Sequence, residues 1–151
     1  MPTVAMSGND TISINNRIFA DLADDNIVEL VFPNDIATLK VGKNGHSLYG
    51  LNEDGRQCEV TIRLIRASSD DKFLNSLLAL QQANFPAFPL MIGEFTKKVG
   101  DGQGNITGDV YVMSGGVFIK PVEAVSNVQG DTDQSLSIYT IRFANAPRAI
   151  T

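Results

Sequence analysis

Residues 57–66, QCEVTIRLIR, alternate apolar and polar side chains almost without interruption. In an extended chain Cys58, Val60, Ile62 and Leu64 fall on one face, and Glu59, Thr61 and Arg63 on the other. A period of two belongs to a strand with one buried and one wetter face, the pattern of antiparallel sheets. The opposite register would bury Glu59 and Arg63, at a cost of several kcal/mol unless each found a partner. A slip of one residue inverts every side chain, so the assignment is all or nothing.

The same reading places further strands at 27–32, 36–41, 47–51, 88–95, 109–114, 116–125 and 135–143. Pro33-Asn34-Asp35 and Asn52-Glu53-Asp54-Gly55 carry turn chemistry, the latter that of a hairpin. Pro121 marks an edge or a bulge in its strand. One helix is predicted, over 70–83. Ser68 or Ser69 caps it, Asp70 and Asp71 sit in its first turn, and Phe73, Leu74, Leu77, Leu78 and Gln81 follow a 3.6-residue period. A helix this short is marginal alone, so its apolar stripe has to pack on the sheet. Residues 1–16 read as an extended polar arm outside the core and 144–151 as a tail. No internal repeat or linker divides the 151 residues. The expected fold is mainly β: an antiparallel sandwich or barrel with one packed helix, in a single unit.

Composition narrows the function. Hydrophobic residues make up 43% and charged residues 19%, a globular balance. No apolar run approaches the ~20 residues of a membrane helix. The first sixteen residues lack the basic and apolar regions of a secretory signal, so a protein made in the cytoplasm without a membrane anchor is expected. The net charge of −5, with no Lys/Arg cluster, disfavours tight nucleic-acid binding.

Chemistry finds little purchase. Cys58 is the single cysteine and His46 the single histidine, which excludes an internal disulfide and a zinc site of the usual kind. Gly100 to Asn105 is glycine-rich but leads into a strand, not the helix a dinucleotide fingerprint needs. Gly42 to Ser47 lacks the phosphate-loop spacing. The acidic pairs Asp24-Asp25, Asp70-Asp71 and Asp131/Asp133 lack the spacing of a calcium loop. No catalytic, cofactor-binding or metal-binding residue is assigned, and no enzyme activity is expected. What the chain offers is strand edge, which invites pairing with further copies; a ring that joins strands between subunits removes such edges.

Residues 42–78 (GKNGHSLYGLNEDGRQCEVTIRLIRASSDDKFLNSLL), 100–150 and IVELVFPND (27–35) together resemble tail-tube proteins of contractile-tailed, myovirus-type bacteriophages. Tube proteins of type VI secretion systems and of phage-like bacteriocins share that fold. The resemblance implies hexameric rings whose sheets join into one β-barrel around a channel. Rings would stack into a tube inside a sheath, with baseplate and terminator proteins as partners and DNA as non-specific cargo. The protein would then reside in the virion tail. By the same resemblance the loop Gly42, Lys43, Asn44, Gly45 and His46 would contact the next ring. Glu59, Thr61 and Arg63 would face the bore, and Ile65, on that wet face, would be covered by a neighbouring subunit. Three alternatives are a ring-forming terminator or connector, the tube protein of a secretion or bacteriocin machine, and a monomeric β-barrel binder or enzyme.

Overall fold

The computed structural model describes residues 5–6, 10–22, 28–125 and 136–150. Among them the chain runs through β1 (Ala5–Met6), β2 (Thr11–Ile14), β3 (Arg17–Ile18), β4 (Val28–Val31), β5 (Ala37–Val41), β6 (Ser47–Leu51) and a 3-10 turn (Glu53–Arg56). It continues through β7 (Cys58–Ile65), α1 (Ser69–Ala83), a second 3-10 turn (Phe85–Ala87), β8 (Met91–Gly100), β9 (Ile106–Phe118), β10 (Glu123–Val125), β11 (Leu136–Asn145) and β12 (Arg148–Ile150). As expected, the fold is mainly β, antiparallel, with one helix.

Ten strands form one sheet, ordered β3-β2-β8-β9-β11-β7-β4, with β1 on β8, β10 on β11 and β12 on β9. The sheet curls on itself. β3 ends the order on one side, yet shortly after it Leu22 bridges Leu64 of β7, next to the other end. The Ile65 amide also donates to the Asp21 carbonyl at 2.9 Å. Alternation holds in β7: Cys58, Val60, Ile62 and Leu64 are buried, while Glu59, Thr61 and Arg63 are half-exposed. Inside the curl they meet Ile12, Ile14, Met91, Met113, Tyr139, Ile141 and Phe143, closed off by Leu74 and Leu78 of α1.

The helix starts as its sequence requires. The Ser68 hydroxyl accepts from the Asp71 amide, and the Asp71 carboxylate accepts from the Ala67 amide at 2.8 Å, a reciprocal capping arrangement. Asp70 does more than meet the helix dipole. It is 2% exposed, and its carboxylate accepts from the Arg17 guanidinium (3.0 Å) and the amides of Ala20 and Asp21 (2.8 Å each). That knot ties the strap after β3 to the helix. At the other end the Gln81 side chain donates to the Phe118 carbonyl and accepts from the Phe118 amide, both at 2.9 Å, and so completes the end of β9.

Several expectations are corrected. Residues 11–14 are not arm but a strand: beneath their polar composition, Ile12 and Ile14 alternate with Thr11 and Ser13, and both isoleucines are buried. Residues 1–4, 7–9 and 126–135 lie outside the described residues. The tail is paired: β12 lies on β9 in the register that β11 sets, so 144–150 continues one ladder across Pro147. The strands expected at 109–114 and 116–125 are one strand, β9, up to Phe118. Gly115 (φ +69°) sits where the β8–β9 register shifts, and the bulge replaces the expected break. Pro121 then separates β9 from β10. Residues 52–55 are no hairpin turn; they enter a 3-10 turn joining β6 to β7, which do not pair.

The buried face predicts a chemical asymmetry. Cys58 is fully buried, and burial pushes its thiol up to about 11. Native Cys58 is expected to react with a thiol reagent at least about a hundredfold more slowly than the unfolded chain, because labelling needs opening of the core. A Glu59→Cys variant should label readily in free subunits. Fast labelling at position 58 with protection at 59 would mean an inverted sheet.

Candidate assembly surfaces

β5 and β6 pair only with each other, and every residue in both strands is exposed. Register assigns their faces. Ala37 lies opposite Leu51, Leu39 opposite Tyr49, and Val41 opposite Ser47, so these share one face. Thr38, Lys40, Leu48 and Gly50 take the other. The first face is apolar and bare: Leu39, Val41, Tyr49 and Leu51 are 58%, 66%, 81% and 72% exposed. A lone two-stranded hairpin is marginal in water. Covering these four side chains would contribute on the order of 5 kcal/mol before binding costs.

The hairpin nevertheless stands on a built base. The Asn52 amide donates to the Ile36 carbonyl at 2.9 Å, the Asn34 side chain to the Asp54 carbonyl at 3.1 Å, and the Asn52 side chain to Thr38 at 3.0 Å. Gly55 is buried against this base. A Cβ there would stand 2.7 Å from both the Asp35 carbonyl oxygen and the Ile36 Cα.

The structure brings Gly42, Lys43, Asn44, Gly45 and His46 together as the tip of this hairpin. The Gly42 amide donates to the His46 carbonyl (2.7 Å), the Gly45 amide to the Gly42 carbonyl (3.1 Å), and Gly45 takes φ +81°. Glu59, Thr61 and Arg63 sit elsewhere, on the solvent side of β7. Glu59 pairs with Arg142 of β11 at 2.8 Å, and Arg63 with Glu29 of β4 at 3.9 Å. Ile65 ends β7 and is 38% exposed. His46 is exposed at the tip, and among the described residues no group of three or more His, Cys, Asp or Glu could hold a metal. No helix there is long and apolar enough to cross a membrane.

Sequence reasoning placed both hairpin strands but missed their apolar face. The signal was present: Leu39 and Val41 in one strand, Tyr49 and Leu51 in the next, each pair two residues apart. It also missed the partners of Asp70, which lie far from it in the chain.

No family model matches the chain, and no curated protein matches it. Solved structures do. The chain is similar to one in the PVC sheath–tube complex of an extracellular contractile injection system in the extended state, with TM-score 0.61, 9% identity, and 94% of this chain and 88% of that one covered. It is similar to one in the PVC sheath/tube terminator, with TM-score 0.58, 9% identity, and 93% and 92% covered. A third is in the baseplate of the anti-feeding prophage, with TM-score 0.52, 8% identity, and 93% and 90% covered. The fold is therefore that of components of contractile injection machines.

Proposed function

We propose that this chain is the tube subunit of a contractile machine, without enzymatic activity. Copies close into hexameric rings, and the rings stack into a hollow tube. The observation that carries the proposal is the bare apolar face of the β5–β6 hairpin, on a rigid base, in a fold shared with contractile-machine components. A soluble protein keeps such a face only where something covers it. A head-to-tail contact between identical copies grows into rings or open filaments.

In this reading the tip, Gly42 to His46, meets the next ring. The solvent side of β7 (Glu59, Thr61, Arg63) lines the bore. Both arginines on that side of the sheet, Arg63 and Arg142, are engaged by carboxylates. Among the described residues of β7 and its neighbours β4 and β11, that side then presents no row of unpaired cations to hold phosphates, which suits DNA as a passing cargo in a phage tail. Sheath, baseplate and terminator proteins are the partners, and the virion tail is the place. Deleting residues 42–46 is expected to spare rings and abolish tubes in negative-stain images; tubes of unchanged length would reject the stacking role.

A second reading is favoured by the likeness to the sheath/tube terminator structure. A terminator forms rings that do not polymerise, so discrete rings from the intact chain would select it.

A further inference from the structure

The longest stretch of this chain without a charged residue is 73–93, which spans most of α1 and runs to the start of β8. Part of it is core, through Leu74, Leu78, Phe88 and Met91. The rest is surface. Leu80, Phe85 and Leu90 are 50%, 59% and 60% exposed, and Pro86 and Pro89 beside them are exposed too. The end of the helix and the turn that follows thus carry an uncharged apolar surface on a backbone stiffened by two prolines.

The hairpin matches it. Residues 36–51 hold two of the twelve basic residues and none of the seventeen acidic ones, and both lysines lie off the apolar face, Lys40 on the opposite face and Lys43 at the tip. Every residue of its strands is exposed, so the hairpin does not cover this surface within its own chain. The exposed ribbon of β8 and β9 is the rival seat, with Ile92, Ile106 and Val112. On that face the ribbon also carries Glu94 and Lys98, whose desolvation would oppose an apolar partner.

We propose that the apolar face of the β5–β6 hairpin docks on the Leu80–Phe85–Leu90 surface of a second copy of this chain, in the next ring. The proposal rests on the tube reading and names the partner surface of its stacking contact. Phe85 is the anchor: an aromatic side chain beside two prolines loses little freedom on burial, and such residues dominate interfaces.

The contact joins two different surfaces, so two broken copies can complement each other. Tyr49→Asp removes the hairpin's face and Phe85→Asp the seat; both positions are exposed, so each variant should melt as the parent does. Alone, each is expected to form rings and no tubes. Mixed in equal amounts, intact hairpins of one variant meet intact seats of the other. Growth stops there, and sedimentation velocity should show ring pairs of twice the ring mass. A mixture with no species beyond those of the separate variants would overturn the proposal, as would tubes from Phe85→Asp. Loss of tubes in Ile106→Asp with Phe85→Asp unaffected would move the seat to the ribbon and overturn it as well. Should the parent form head-to-tail oligomers without rings while the mixture gives only dimers, the contact stands and the tube reading falls.

Discussion

Asp70→Asn is expected to lower the unfolding free energy by about 3 kcal/mol, a drop of roughly 6–12 °C in melting temperature. The carboxylate is buried, and three donors converge on it, Arg17 from β3 and the Ala20 and Asp21 amides from the strap that follows. An asparagine keeps one acceptor and turns an amide N–H₂ toward donors, so at least one buried donor loses its partner. Burial alone would push the Asp70 carboxyl up. The Asp21 and Ala20 amides and the Arg17 guanidinium together outweigh it and hold it below its usual range. A carboxyl depressed in the folded state contributes stability that is complete above its unfolded pKa, near 3.9, and is lost as pH falls through the lower folded value. Wild type and variant should therefore differ fully at neutral pH and converge below about pH 4. Denaturant titrations in the Tyr49→Asp background, at subunit concentrations below ring formation, keep assembly from adding to the stability. A difference under about 1 kcal/mol at pH 7, or one independent of pH, would contradict this account.

Gly55→Ala is expected to abolish tubes while leaving the body folded. The added Cβ would meet the Asp35 carbonyl oxygen and the Ile36 Cα at 2.7 Å, and neither backbone atom can rotate away. The base of the hairpin must shift instead. At 3.3 Å per residue the five-residue strand alone puts the tip about 17 Å away, so the tip swings by a multiple of the displacement at the base. Overpacking of this kind costs about 1–3 kcal/mol, a few degrees in melting temperature. The effect on assembly should be far larger, because stacking in the proposed tube needs all hairpins of a ring in one geometry. Tubes of wild-type length from Gly55→Ala would show that the base does not aim the hairpin.

Strands and helix were legible where alternation or helical spacing ran long. QCEVTIRLIR gave the face of β7 and its buried residues; Ser68 or Ser69 with Asp70 and Asp71 marked the helix start, and the structure selects Ser68 as the cap. Short or polar-looking strands were not. Thr11–Ile14 hides two core isoleucines among polar neighbours, and Arg148–Ile150 becomes a strand only because β9 is already there to pair with it. The 109–125 region misled because Gly115 reads as a break in one dimension, whereas in the sheet it is a bulge inside a continuous ladder. The hairpin was visible as two strands but not as an unpartnered sheet, since sequence does not say which strands remain outside the main ladder. The knot at Asp70 joins residues 49 to 53 positions apart, beyond the reach of any local pattern.

The central claim is that this fold exists to polymerise through its hairpin. Negative-stain imaging of the purified full chain at rising concentration, beside the chain lacking residues 42–46, tests it most directly. The account predicts rings that stack into tubes in the first and rings alone in the second. A folded, strictly monomeric species at every concentration would contradict it.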